Sequence, residues 1–156
     1  MRIRKIRSRR RNRLSFDIKI VQGDLAIKSD GNLEKIFNEA KLIQDILKCI
    51  FTPTGSHKLH TWYGSPLLSN TISKVNDRNL VETIIKNGVF YALSNLMTLQ
   101  EMQESDGQYL APKEALKSID DVSIFFDEFD PRQVNVFVTV TTRLGNRTQE
   151  SFTINL

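Results

Sequence analysis

The chain has 156 residues, of which 40% are hydrophobic and 26% are charged, and no apolar run is long enough to cross a bilayer. These values predict a soluble globular protein of one domain, and the single Cys49 excludes a disulfide framework. The formal net charge of +4 is unevenly distributed, because residues 1–13 carry eight basic groups and no acidic one. Subtracting these eight from the 22 basic residues leaves 14 against 18 acidic residues, so the rest of the chain is mildly acidic.

Residues 1–13 are predicted to form a basic tail that stays disordered unless a partner orders it, because mutually repelling charges cannot offset the entropy of ordering. Three interpretations remain open. The tail is solvated without a specific partner, it binds nucleic acid through counterion release, or it docks into an acidic groove of a protein assembly. The residues that would dock are Arg4, Arg7, Arg9, Arg10, Arg11 and Arg13.

Residues 14–156 are predicted to form a single α+β domain that begins with a short hairpin. Apolar and polar residues alternate over residues 16–20, a Gly-containing turn follows at residues 22–24, and residues 25–27 return.

The first helix is predicted from apolar residues that recur at steps of three and four between Leu33 and Ile50. Asp30 or Asn32 is expected to cap its start, and Pro53 marks its end.

The connection after this helix, residues 52–67, is unusual for a surface loop. It contains Trp62, Tyr63 and several leucines, with Gly55 and Gly64 at points where the backbone must bend. Burial of an aromatic side chain contributes roughly 2 kcal/mol, so we expect this segment to fold back and bury its aromatics.

The second helix is predicted for residues 79–104, where Asn79 and Glu82 resemble a capping box. Gly88 lies on its apolar face, which suggests the close approach of another backbone. A short third helix is predicted for residues 112–118. The apolar face of the second helix comprises Leu80, Val81, Ile84, Ile85, Gly88, Val89, Ala92, Leu93, Leu96 and Met97.

In the C-terminal region, apolar and polar residues alternate along two predicted strands of a β-hairpin, with a tight turn at residues 144–147. Its last strand is expected at a sheet edge, where unpaired backbone groups recruit another strand. The alternative is an edge blunted by Arg143 and Arg147. The residues predicted to contact an added strand are Val134, Val136, Val138, Val140, Phe152, Ile154 and Leu156. The resulting fold class is α+β, with two main amphipathic helices packed on a small, mostly antiparallel sheet.

A threonine, a glycine three residues later, an aromatic-Gly-Ser unit and a leucine follow the first helix. These residues are Thr52, Gly55, Trp62, Tyr63, Gly64, Ser65 and Leu67. The motif and the order of elements resemble the phage baseplate W-like family, which includes the sheath initiators of contractile tails and a related wedge component of type VI secretion baseplates. The resemblance covers residues 17–156. The family's Glu-Pro-Arg before the C-terminal strands has its nearest counterpart in Ala111-Pro112-Lys113, which lacks the acid.

The resemblance implies a structural protein of the virion, located in the tail baseplate and, during assembly, in the host cytoplasm. It implies a sheath initiator that templates the first sheath ring by strand addition to its C-terminal hairpin. The implied partners are the tail sheath protein, baseplate wedge proteins and tube or hub proteins, with six copies in a ring and no membrane contact. The alternative is a basic-tailed nucleic-acid-associated protein.

Catalytic patterns are missing from the sequence. It has no G-x-S-x-G, no Gly-rich phosphate loop and no H-E-x-x-H, and His57 and His60 lack a second pair of metal ligands. The acidic residues between Asp120 and Asp130 are interpreted as a solvated edge or, alternatively, as a contact surface for a basic partner strand. We therefore expect no enzymatic activity, no cofactor and no bound metal.

Overall fold

A computed structural model describes residues 15–68, 77–130 and 132–156, so the predicted basic tail at residues 1–13 lies outside the described residues. The elements in chain order are β1 (Asp17–Ile18), β2 (Ile20–Val21), β3 (Asp24–Leu25), β4 (Lys35–Ile36), α1 (Asn38–Phe51), a 3₁₀ turn (Pro66–Leu68), α2 (Arg78–Ser105), β5 (Leu116–Phe126), β6 (Gln133–Thr142) and β7 (Arg147–Asn155). The predicted α+β class is confirmed, because two helices pack against small antiparallel sheets. The largest sheet has three strands in the order β5-β6-β7.

The predicted N-terminal hairpin exists as β2 and β3, joined by a turn in which Gln22 and Gly23 adopt φ values of 52° and 85°. The preceding strand β1 takes a different partner and pairs antiparallel with β4. Lys19 links the two small sheets, because its N–H donates to Glu34 O at 2.8 Å and its carbonyl accepts from Ala26 N at 2.9 Å.

The start predicted for the first helix, near Leu33 with a cap at Asp30 or Asn32, is wrong. Leu33 forms an isolated antiparallel bridge and Ile36 belongs to β4, so α1 begins only at residue 38. A spacing of three residues fits one helical turn, but here Leu33 pairs with Ile27 and Ile36 pairs with Asp17 of β1. The predicted end before the proline at position 53 is confirmed.

The second helix is confirmed to within one residue at each end, but its predicted capping box is wrong. Asp77 is the cap, and its Oδ1 accepts from Asn79 N at 2.9 Å. Leu80, predicted on the apolar face, is 48% exposed, whereas its neighbour Val81 is 2% exposed, so the buried face of α2 begins with Val81 and leaves Leu80 out.

The short third helix predicted for residues 112–118 is also wrong, since β5 already begins at Leu116. Two backbone bonds tie this stretch to the β6–β7 turn: Leu144 N donates to Pro112 O at 3.1 Å, and Arg143 N donates to Ala115 O at 2.9 Å. Residues 112–115 therefore form a single turn, in which Ala115 N donates to Ala111 O at 3.2 Å, and the chain is extended from Leu116 onward.

One hydrophobic core joins both helices to the inner face of the three-stranded sheet. Within the described ranges, neither helix has both the length and the apolar composition that a membrane-spanning helix requires. The buried core residues include Leu42, Ile46, Cys49, Ile50, Val81, Ile85, Val89, Leu93, Leu96, Leu116, Val122, Val134, Val136, Val138 and Val140.

Candidate functional site

The linker motif closes on itself directly after α1. Thr52 Oγ1 donates to Lys48 O at 2.6 Å, which satisfies a carbonyl of the last helical turn. Thr52 O accepts from Ser65 N at 2.8 Å, and Ser65 O accepts from Thr54 N at 3.1 Å. The two ends of the motif, thirteen positions apart in sequence, therefore lie side by side in a short parallel bridge between Pro53 and Ser65.

The two motif glycines have different environments. Gly64 has a φ of 105°, and a Cβ added there would lie 2.3 Å from Thr52 O. Gly55 has a φ of 87°, and its N–H donates to Thr61 O at 2.9 Å, but an added Cβ would meet nothing within 4 Å. Gly64 is thus required both for its backbone conformation and for close contact, whereas Gly55 is required for conformation alone.

The motif contacts α2 at Gly88, through a hydrogen bond from Ser65 and through the packing of Leu67. Ser65 is 1% exposed, its Oγ donates to Gly88 O at 3.4 Å, and it accepts from Leu67 N at 3.1 Å. An added Cβ at Gly88 would lie 2.5 Å from Leu67 Cδ2. Gly88 is a point of close contact as predicted, but the prediction that another backbone approaches it is wrong, because the side chain of Leu67 occupies that space.

The aromatic part of the linker is only partly buried. Trp62 and Tyr63 are half-buried, and Tyr63 packs against the core. Asn95 of α2 anchors this part, since its Nδ2 donates to Trp62 O at 2.7 Å and to Gly64 O at 3.2 Å. Leu59, in contrast, is 85% exposed, so the expectation that the whole segment folds back holds for residues 62–67 only.

A cleft of about 600 Å³ lies between the linker, α1 and α2. Its charged groups neutralise one another: Lys48 bonds to Asp17 and lies 3.2 Å from Asp45, which also accepts from Lys41 at 3.0 Å. Burial alone would raise the pKa of Asp17, but the hydrogen bonds from Lys48 and from Gln44 outweigh it and hold that pKa below its usual value. The cleft therefore offers no excess of either charge.

The same cleft contains both histidines, whose rings stack 5.4 Å apart. Within residues 15–68, 77–130 and 132–156, no three His, Cys, Asp or Glu side chains are placed to hold a metal ion. Burial raises the pKa of the Tyr63 hydroxyl, and the neighbouring Cys49 adds to this effect. Burial likewise raises the pKa of Cys49, so the thiol form is favoured at neutral pH.

The outer edge of β7 is the second candidate site. β6 and β7 pair without a register shift from Gln133 opposite Asn155 to Thr141 opposite Arg147. At the two ends of this ladder, Thr142 N donates to Asn146 O and Leu156 N donates to Arg132 O. Hydrogen-bonded positions recur at every second residue of an antiparallel ladder, so the even-numbered residues of β7 bond to β6.

The odd-numbered residues of β7 therefore direct their N–H and C=O groups away from the sheet, and their side chains are exposed. In the part of the chain that the structure describes, none of these backbone groups has a hydrogen-bond partner. The strand carries no lysine, proline or bulge, and Glu150 is the one charged side chain on its inward face. The outward-directed residues are Arg147, Gln149, Ser151, Thr153 and Asn155.

The other edge of this sheet is less regular. β5 pairs with β6 through two register shifts, one between Leu116 and Ser118 and one between Ile119 and Asp121. Such irregularities twist an edge and interrupt the spacing of its free backbone groups. β7 is thus the better acceptor of an added strand.

The alternative of an edge blunted by arginines concerns Arg147 only. Arg143 lies before β7 and its Nη1 bonds both carboxylate oxygens of Glu104, at 2.6 and 2.7 Å. Arg147 Nε lies 3.6 Å from Asp120 Oδ2. Arg143 is therefore bound to α2, whereas Arg147, 69% exposed on β7, keeps a charge at one end of the edge. A hydrogen bond from Thr141, followed by one from Ser118, also holds the pKa of Asp120 below its usual value.

The residues predicted to contact an added strand need one correction. The four valines of β6 belong to the central strand, which is paired on both sides, and their side chains are 0–1% exposed. Their side chains pack into the hydrophobic core, and they are not placed to contact a new strand. Phe152, Ile154 and Leu156 do lie on or next to the edge strand, but they pack partly against the core. The residues that no longer belong to the predicted contact set are Val134, Val136, Val138 and Val140.

Sequence reasoning missed a buried acid at the turn before β5. Glu114 is 1% exposed, and its Oε1 accepts from Ala111 N at 2.9 Å. Its Oε2 has no hydrogen-bond partner among the described residues. Gln100 of α2 braces the same turn, donating to Glu114 O at 3.0 Å and accepting from Leu116 N at 2.8 Å. The Ala111-Pro112-Lys113 stretch therefore has a carboxylate folded against it, although no pattern in the sequence indicated this.

Neither a comparison with protein-family profiles nor one with curated proteins finds a match to this chain.

Proposed function

We propose that this protein is a structural component of a contractile phage tail baseplate and acts as a sheath initiator. Its mechanism is the addition of a strand from the first sheath subunits to the free edge of β7. The observation that carries this proposal is the regular edge without proline or bulge, with five outward-directed residues from Arg147 to Asn155.

The linker motif supports the proposal in a structural role. Three of its residues are inaccessible to a partner, because Ser65 and Leu67 are buried and Gly64 is in close contact with Thr52. They fasten the end of α1 to α2, and both helices pack beneath the sheet whose edge is used. The motif that carries the family resemblance therefore stabilises the pair of helices on which the sheet with the β7 edge packs.

Contacts with baseplate wedge proteins are assigned to exposed apolar side chains outside the three-stranded sheet. Val21, Leu25 and Ile27 are 48%, 49% and 68% exposed on and beside the N-terminal hairpin. Adjacent exposed apolar residues are typical of protein-protein contact surfaces. Copies arranged in a ring, six in number as the resemblance implies, would present one β7 edge each to the growing sheath.

The physical basis of strand addition is the saturation of the outward backbone groups. Each new backbone hydrogen bond contributes about 0.5–1.5 kcal/mol net, so a short ladder supplies substantial affinity. The exposed side chains of Gln149, Ser151 and Thr153 would lie opposite every second residue of the added strand and provide selectivity.

The test replaces one outward-directed amide. Thr153→Pro removes an N–H that faces away from β6, so the β6–β7 ladder is retained while an added strand loses a donor and meets the proline ring. Thr153→Ala is the matched control, since both variants lose the side-chain bond from Thr153 Oγ1 to Asn135 Oδ1, which is 2.9 Å long.

In the producing phage, Thr153→Pro is expected to enter baseplates and leave tails without sheath, whereas Thr153→Ala gives sheathed tails. Electron microscopy of purified tails provides the measurement, and the unfolding midpoints of both proteins show that each is folded. Normal sheaths on tails that contain the proline variant would contradict the proposal.

The second candidate is a nucleic-acid-associated protein, favoured by the eight basic residues in positions 1–13. Removal of these residues separates the two functions. Loss of salt-dependent binding to DNA or RNA, with baseplate incorporation unchanged, would favour the second candidate. If neither the full chain nor the truncated chain binds nucleic acid, and the truncated chain no longer enters baseplates, the result would favour docking of the tail within the baseplate.

A further inference from the structure

The free edge of β7 is complementary to a second copy of itself. In an antiparallel pair of identical strands, one register brings all five outward-directed residues of each copy into hydrogen-bonding positions. That register places Ser151 opposite Ser151 on the two-fold axis, with Gln149 opposite Thr153 and Arg147 opposite Asn155.

This register places no two like charges directly opposite each other. Arg147 faces an amide, and Glu150, at the neighbouring non-hydrogen-bonded position, faces Phe152 of the other copy. Directly opposed like charges destabilise a strand pair, and nothing in β7 opposes self-pairing in this way. β7 has no proline and no bulge, and its one inward-directed charge, Glu150, faces an aromatic ring and not a second carboxylate in this register.

An apolar side chain also lies beside the edge. The ring of Phe51, at the end of α1, packs edge-on against Phe152 with centroids 5.3 Å apart, yet it remains 40% exposed. A second sheet continuing from β7 would approach this ring and cover part of its exposed surface.

We propose that the free protein forms a symmetric dimer through antiparallel pairing of its two β7 strands. The dimer closes the exposed edges until a sheath strand or another baseplate component displaces one copy. This inference goes beyond the proposed function, because it concerns the protein before assembly and holds whichever strand later binds to the edge.

The test uses the residue on the symmetry axis. Ser151→Lys and Ser151→Glu each place two like charges opposite each other in the homodimer, while a mixture of the two variants places a lysine opposite a glutamate. Ser94→Lys is the matched control, since Ser94 is exposed on α2, an element that does not take part in the pairing.

Sedimentation equilibrium of the full chain over a range of concentrations provides the measurement. The natural protein and Ser94→Lys are expected to dimerise with the same constant, each Ser151 variant alone to dimerise about fivefold more weakly, and the equimolar mixture to recover dimerisation. A dimer unaffected by charges at Ser151 would overturn the proposed register.

A second measurement is independent of charge. Ser151→Cys brings two thiols together across the axis, where opposed Cα atoms lie about 5.5 Å apart, within reach of a disulfide. Mild oxidation is expected to link Ser151→Cys into covalent dimers and to leave Ser94→Cys monomeric on non-reducing gels.

The outcomes separate this inference from the proposed function. A natural protein that stays monomeric at all concentrations overturns the dimer, but leaves strand addition to the sheath to be judged by the Thr153 variants. A dimer that forms as expected, together with sheathed tails from Thr153→Pro, would overturn the sheath proposal alone.

Discussion

Substitution of Gly64 by alanine tests whether the linker motif is held by backbone geometry. The φ of 105° lies outside the regions that alanine adopts readily, and the new Cβ would lie 2.3 Å from Thr52 O. Backbone strain of this kind costs about 1–3 kcal/mol, and moving Thr52 away also sacrifices its bond from Ser65 N, worth about 1 kcal/mol. We therefore expect Gly64→Ala to lower the free energy of unfolding by about 3 kcal/mol.

Gly55→Ala provides the matched control in the same segment. Its φ of 87° is unfavourable for alanine, but the new Cβ would meet nothing within 4 Å, so only the conformational cost of about 1–2 kcal/mol remains. Urea unfolding followed by circular dichroism gives both values, and equal slopes against urea concentration confirm that the two unfolding transitions are comparable. Equal losses of stability at the two glycines would refute the argument that close contact with Thr52 distinguishes Gly64.

Two further predictions concern packing and charge around the same region. Gly88→Ala is expected to destabilise the natural protein by about 1 kcal/mol, because overpacking against Leu67 costs about 1–3 kcal/mol and the gain in helix propensity returns about 1 kcal/mol. In a Leu67→Ala background the same change should stabilise, and urea unfolding that shows equal losses in both backgrounds would contradict this contact. Asp17 has a lowered pKa in the folded protein, so its contribution is present above the unfolded-state pKa near 3.9 and is lost as the pH falls through the folded-state pKa. Asp17→Asn should therefore flatten the dependence of the urea midpoint on pH below about pH 4, and parallel curves for the two proteins would refute this.

The long elements could be predicted from the sequence because their periodicity extends over many residues. α2 and β6 follow the expected helical and alternating patterns, and their burial agrees with those patterns. Short stretches were predicted less well. Leu33 and Ile36 have a spacing that fits a helix, but the backbone there pairs with other segments, Leu33 with Ile27 and Ile36 with Asp17 of the distant strand β1.

The candidate site could be predicted only in part, for a physical reason. Alternation along a strand shows which side chains share a face, but it does not encode the position of that strand in the sheet. The valines of β6 were therefore grouped with the edge, although β5 makes β6 central. Gly88 was identified as a contact point from its place on the apolar face, whereas its partner, Leu67, depends on a turn that has no periodic signal. Glu114 carried no signal at all, because an acid before a strand is ordinarily exposed.

The two proposed uses of β7 compete for the same backbone groups, and this competition determines what a sheath strand must provide. A second copy of β7 and a foreign strand can satisfy the outward N–H and C=O groups equally well, so the main-chain bonds do not discriminate between them. The side chains therefore decide the preference. Self-pairing places Arg147 opposite Asn155 and Ser151 opposite itself, which are weak cross-strand pairs. A strand that places a carboxylate opposite Arg147 and a β-branched or aromatic residue opposite Ser151 would bind more tightly than the second copy and displace it, so that assembly of the sheath would release the dimer.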